Sequence, residues 1–161
     1  FAEARERYEE ALATKVRVLG ARHASVGNTL SNLGAVLQCM NHLDKALDRH
    51  TLALDIFRGL GSGQLIVGHT LANMGTIYAK QERYEDALSE YKAALRIFEG
   101  RLGKSHHLVG KTCFNLGVAH KHLGGVEEAK ALFMRASLVY TEVFGPTHPE
   151  TLTAMEFALG G

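Results

Sequence analysis

Asn32-Leu33-Gly34 returns as Asn73-Met74-Gly75 and again as Asn115-Leu116-Gly117, at spacings of 41 and 42 residues. A sequence that repeats at this period folds into like units set side by side, because one unit is too small to bury its apolar face alone. Two alanine series keep the same step: Ala4, Ala46, Ala87 and Ala129, then Ala11, Ala53, Ala94 and Ala136. Between them stand Tyr8, His50, Tyr91 and Phe133. A glycine series, Gly20, Gly61, Gly103 and Gly145, follows each alanine block and suits a left-handed residue that ends a helix.

Each unit reads as two helices. Val26, Leu30, Leu33 and Leu37 recur at four-then-three spacing and put one apolar stripe along a helix. Val67, Leu71, Met74 and Tyr78 repeat the stripe in the next unit, and Val109, Cys113, Leu116 and His120 repeat it in the third. The alanines belong to the second helix of each unit, where small side chains let two helices approach closely. The Gly of each Asn-x-Gly falls at the edge of the stripe, where the hairpin's helices meet. The expected fold is all-α, a right-handed superhelical stack of antiparallel helix hairpins. Residues 1–20 form the second helix of a truncated repeat, 21–62, 63–103 and 104–145 are full repeats, and 146–161 start a further one. A stack that begins and stops inside a repeat reads as a fragment of a longer array.

Leu-Gly on the first helix, followed by Ala, aromatic and Ala on the second, resembles the tetratricopeptide repeat over the whole chain. The common unit of that family has about 34 residues, and here the additional residues lie between hairpins. Phe144-Gly145-Pro146-Thr147-His148-Pro149 is the clearest such stretch, with Leu102 to His106 and Leu19 to His23 as weaker copies. These stretches resemble the 42-residue variety of kinesin light chains, although Ser31, Ala72 and Phe114 stand where light chains tend to place another asparagine. The resemblance implies a cytoplasmic, cytoskeleton-associated cargo adaptor that captures peptides in a groove lined by the first helices.

The face of the first helices opposite the apolar stripe is then the candidate ligand surface. It holds Asn28, Ser31, Ala35, Gln38 and Cys39; His69, Ala72, Thr76, Ala79 and Lys80; and Lys111, Phe114, Val118, Lys121 and His122. Asn32, Asn73 and Asn115 border it. Their amides can donate to and accept from a peptide backbone, or they can brace neighbouring hairpins. Phe114 belongs either to the core or to this face, and its register favours the face. First-helix segments 21–42, 63–82 and 104–124 carry net charges of +1, 0 and +3, while the second-helix segments together carry −1. An acidic protein or peptide partner is therefore expected. The alternative is an architectural segment of a larger assembly that binds folded domains or its own chain. A co-chaperone carboxylate clamp fits poorly, because Asn73 and Lys111 suit it but Ser31, Ala35 and Asn115 do not.

Composition and motifs exclude most other classes. With 46% apolar and 22% charged residues the chain can bury a core. Its net charge of +1 lacks the cationic surplus that displaces counterions from nucleic acid. No apolar run reaches the length of a membrane span. Cys39 and Cys113 have neither zinc-site spacing nor disulfide density, which fits a reducing cytoplasm. The nine histidines form no metal-ligand set, and His23, His106 and His148 recur where a helix cap would sit. Thr29, Thr70 and Thr112 are expected to pack between hairpins. No phosphate loop or activated nucleophile appears, so neither a cofactor nor an enzyme activity is expected.

Overall fold

The computed structural model describes residues 1–61 and 63–160. They hold eight α-helices and no strand: α1 (Ala2–Leu19), α2 (Ala24–Cys39), α3 (Leu43–Gly59), α4 (Gln64–Lys80), α5 (Tyr84–Leu102), α6 (His107–His122), α7 (Val126–Phe144) and α8 (Pro149–Leu159). They fall into two compact units, Phe1–Gln81 with α1 to α4 and Glu82–Gly161 with α5 to α8. In the first, α2 packs on α1 and α3, and α3 on α4. In the second, α6 packs on α5 and α7, and α7 on α8.

Short turns fold α3 back on α2 in the first unit and α7 back on α6 in the second. Asn41, Glu82 and Gly124 follow the ends of α2, α4 and α6 with φ of 60°, 60° and 81°. A left-handed residue reverses the chain within a few residues, at a cost of roughly 1–2 kcal/mol when a side chain such as that of Glu82 is present. The longer links between hairpins open at Gly20, Gly103 and Gly145, whose φ lies between 84° and 93° as the sequence pattern suggested. Their ψ of 153°, 168° and 164° places them in an extended mirror region open essentially to glycine, outside the left-handed helical region.

Each link then closes on a histidine cap. The Nδ1 atoms of His23, His106 and His148 accept from the backbone N–H of Ser25, Leu108 and Glu150 at 3.1, 3.2 and 3.3 Å. The imidazole thus satisfies an orphan donor of the first turn, as a capping Asp or Ser would. The cap requires an Nδ1 without a proton. Burial, together with the neighbouring His107 ring, holds His106 below its ordinary pKa and so preserves that state.

The stripe of α2 is buried throughout, as expected. In α4, Leu71 and Met74 are buried while Val67 and Tyr78 are only half-buried, and Ile77, outside the expected stripe, is fully enclosed. Thr29, Thr70 and Thr112 are buried and donate to the carbonyls of Ser25, Ile66 and Leu108, one helical turn back. Their hydroxyls are satisfied within their own helix, which lets the methyl groups pack. Ala46, Ala53, Ala87, Ala94 and Ala136 are completely buried.

In the hairpins α2–α3 and α6–α7 the aromatic position between the alanines presses into the Asn-x-Gly glycine. A methyl group on Gly117 would lie 2.7 Å from the Phe133 ring, and one on Gly34 would lie 2.8 Å from Nε2 of His50. A second glycine series does the same nearer the helix start, where Gly27 faces Phe57 and Gly110 faces Tyr140 at 2.7 and 2.8 Å. The recurring Val-Gly-x-Thr of the first helices is the sequence sign of this contact, and its glycine lies outside the four-then-three apolar stripe.

His50 is the unusual member of the aromatic series. It is fully buried, and neither ring nitrogen has a hydrogen-bond partner. Desolvation lowers its pKa from 6.5 to about 4. Above pH 6.5 the ring is neutral whether the chain is folded or not. Between pH 6.5 and 4 the unfolded chain takes up a proton that the folded chain refuses, so stability falls as pH falls.

Two predictions follow from this packing. Gly117→Ala should lose about 1–3 kcal/mol by overpacking, while Gly100→Ala, on α5 with nothing within 4 Å of the added methyl group, should gain up to about 1 kcal/mol. Denaturant unfolding of both variants checks the pair. His50→Phe should be more stable than the parent chain at pH 7, because two unsatisfied buried nitrogens are removed. Its advantage should grow by about 3 kcal/mol between pH 6.5 and pH 4, read from melts across that range.

Candidate functional site

On α2, the side facing away from the core presents Asn28, Asn32, Ala35 and Cys39 to solvent, with Ser31 and Gln38 half-buried beside them. On α4 the corresponding residues are exposed His69 and Lys80 with half-buried Ala72, Asn73, Thr76 and Ala79. The two first helices touch. Between them lies an open cavity of about 430 Å³ lined by Asn28, Ser31, Asn32, Ala35, Ile66, His69, Thr70 and Asn73. Six of these eight come from the set read off the sequence. The Ser31 hydroxyl is shielded from solvent and has no partner, so a polar group entering the cavity would find a donor and an acceptor already desolvated. Thr76 donates to the carbonyl of Ala72 at 3.0 Å, which turns its hydroxyl toward its own backbone.

In the second unit, Lys111, Lys121 and His122 are exposed along α6, and Phe114, Asn115 and Val118 are half-buried. Lys111 has no ion-pair partner among the described residues. Phe114, expected at the ligand face, gives much of its ring to the core. Its centroid lies 5.2 Å from Phe133 and 5.4 Å from Phe157, and Phe133 and Phe157 are 5.1 Å apart. Val118 packs against the same cluster. Phe157 stands on α8 at the repeat position where the earlier first helices carry asparagine, a substitution that the sequence displayed and the repeat reading did not use. The Lys121 ammonium sits 5.0 Å from the Phe157 ring centroid, a cation–π contact that holds a positive charge over the cluster's edge. His122 stacks on Tyr84 with ring centroids 4.3 Å apart and planes 5° from parallel, so one face of its imidazole is covered.

The titratable groups lend themselves to recognition more than to bond-making. The Cys113 thiol is buried, and desolvation, only partly opposed by the Arg135 charge, pushes it up to about 11. It stays protonated and is a poor nucleophile. Burial, with a smaller contribution from the Glu150 charge, raises the Tyr140 phenol well above its ordinary range. Among the described residues, no three His, Cys, Asp or Glu side chains gather to hold a metal ion, and no helix is long and apolar enough to cross a membrane.

The sequence pattern of the tetratricopeptide repeat family matches residues 1–59 and 67–137. No curated protein sequence matches the chain. Among solved structures, the fold is similar to that of BtubC (BKLC) from P. vanneervenii, with a TM-score of 0.87 at 23% identity, over 98% of this chain and 63% of that one. It is also similar to nearly identical TPR-like repeats ascribed to a kinesin light chain of Podosopora anserina, with a TM-score of 0.82 at 17% identity, over 98% of this chain and 75% of the other. The Sgt2 TPR domain from Aspergillus fumigatus is more distant, with a TM-score of 0.61 at 18% identity, over 83% of this chain and 76% of that domain.

Proposed function

This chain belongs to the tetratricopeptide repeat family, and we propose that it is a protein-binding scaffold whose first helices capture an extended acidic peptide, in the manner of a kinesin-light-chain cargo adaptor working in the cytoplasm. The carrying observation is the cavity between α2 and α4, where Asn28, Ser31, Asn32, His69 and Asn73 converge around a buried, unpaired hydroxyl. A peptide backbone alternates donors and acceptors, and carboxamides answer both. Lys80 in the first unit and Lys111 with Lys121 in the second give the same helices a positive bias, which supports an acidic ligand.

Magnitudes limit what charge can do. An exposed ion pair contributes about 0–1 kcal/mol, whereas micromolar binding needs roughly −8 kcal/mol. Backbone pairing by the amides and apolar contact must supply most of the affinity. A second reading, in which the array is an architectural segment that binds folded domains or its own chain, draws support from the large apolar side chains that α7 and α8 leave exposed: Met134, Leu138, Leu152 and Met155. The two readings separate on ligand size, since an adaptor binds a short peptide in isolation.

Fluorescence anisotropy with pools of short labelled peptides, one rich in Asp and Glu and one in Lys and Arg, provides the test. The acidic pool should bind, and raising salt from about 0.05 to about 0.5 M should weaken binding without abolishing it. Lys111→Glu with Lys121→Glu should cost more affinity than Lys92→Glu with Arg96→Glu on α5. Equal binding of both pools, or equal loss in both double variants, would remove the first-helix assignment and favour the architectural one.

A further inference from the structure

An apolar opening in the first unit lies away from the proposed peptide face, on the other side of α2. A cleft of about 490 Å³ separates α1 from α3. Leu12 and Val16 of α1 form one wall, Leu52 and Ile56 of α3 with Leu60 just past its end form the other, and Val26 and Leu30 of α2 lie at the floor. Val16, Leu52 and Leu60 are 38%, 46% and 49% exposed, so the walls are apolar and wet.

The second unit shows how the same place is closed. Moving 83 residues along the chain turns Val16 into Glu99, Leu52 into Arg135, Val26 into Val109 and Leu30 into Cys113. There, Glu99 and Arg135 form an ion pair between α5 and α7, and both charges act on the Cys113 thiol nearby. The first unit has neither partner of that bridge and carries two aliphatic side chains in their place. Its cleft is therefore open by sequence, at positions where the same chain elsewhere supplies a closure.

Two cations also line the cleft, Arg22 at its end and Arg49 on α3, against one acidic residue, Asp55. Neither arginine has an ion-pair or hydrogen-bond partner among the described residues. The Arg49 Nε–H is shielded from solvent and donates to nothing. A buried donor without an acceptor costs free energy until a ligand supplies one, and a carboxylate is the natural acceptor for a guanidinium. Apolar walls, an unsatisfied buried Nε–H and a second guanidinium together define the ligand.

We infer that the α1–α3 cleft is a second peptide-docking site, which takes a large aliphatic or aromatic side chain between Leu12, Val16, Leu52 and Ile56 while an adjacent carboxylate of the same peptide pairs with Arg49 and Arg22. It uses a different face of α2 from Asn28, Asn32 and Ala35, so both surfaces can be filled at once and this inference stands apart from the first-helix reading.

Methyl NMR on the whole chain tests it, with a short acetylated peptide carrying a central Asp-Leu-Phe-Asp and two controls, Asn-Leu-Phe-Asn and Asp-Ser-Ser-Asp. The first peptide should shift the methyl signals of Leu12, Val16, Leu52 and Ile56 saturably, and each control should bind at least about fivefold more weakly. Val16→Glu with Leu52→Arg, which installs the closure of the second unit, should remove binding while the thermal transition stays unchanged. Arg22→Gln with Arg49→Gln should reduce the first peptide to the affinity of the Asn-Leu-Phe-Asn control. If the closed variant fails to fold, Leu52→Arg alone supplies the comparison. The inference is overturned if no peptide moves these methyl signals, if the uncharged peptide binds as well as the acidic one, or if the closed variant binds like the parent chain. Shifts confined to Ala35 and Ala72 would also overturn it while supporting the first-helix site.

Discussion

The structure depends on one contact repeated with different partners: a ring on the second helix of a hairpin lying where a glycine on the first helix has no side chain. Phe133 over Gly117, His50 against Gly34, Phe57 over Gly27 and Tyr140 over Gly110 are four instances at or near 2.8 Å from a missing methyl group. The contact sets how closely two helices approach, and the completely buried alanines on either side are then the only residues small enough for the flanks. With the gap fixed, the outward faces of the first helices are fixed as well. The binding surface follows from the packing, and Phe114 and Val118 belong to both.

This is why the fold was legible in the sequence and the site only partly so. Close packing punishes substitution, and Ala46, Ala53, Ala87, Ala94 and glycines such as Gly34 and Gly117 recur in register because little else fits. The solvent-facing positions obey no such rule, yet they could be placed by angle: Asn28, Ser31, Asn32, His69 and Asn73 gather around one cavity as the helical period requires. Angle failed where a neighbouring helix intervened. Phe114 has the register of a ligand-facing residue, and rings from two neighbouring helices, Phe133 of α7 and Phe157 of α8, hold it against the core. Ile77 shows the converse, since it lies outside the stripe read from Val67 to Tyr78 yet is fully buried. The α1–α3 cleft lay outside the repeat logic altogether, because it arises where the two units differ, Val16 and Leu52 against Glu99 and Arg135.

Polar groups divide between those the fold satisfies and those it leaves over. The three buried threonines return their hydroxyls to their own helices, and three histidines cap three helix starts. Ser31, Arg49 and His50 keep buried atoms without partners. Two of these border cavities and one sits sealed in the core, and that difference in access separates a recognition group from a packing defect.

The left-handed turn after each first helix carries a different lesson. One slot, set by one geometry, is filled by Asn41, Glu82 and Gly124 in successive repeats. Glycine meets the demand without strain, asparagine with little, and glutamate with a penalty that its unit must absorb. The same turn therefore carries a different strain in each repeat. The slot marks where the fold has room to gain: glycine in place of Glu82 would remove a strain that Gly124 never carries.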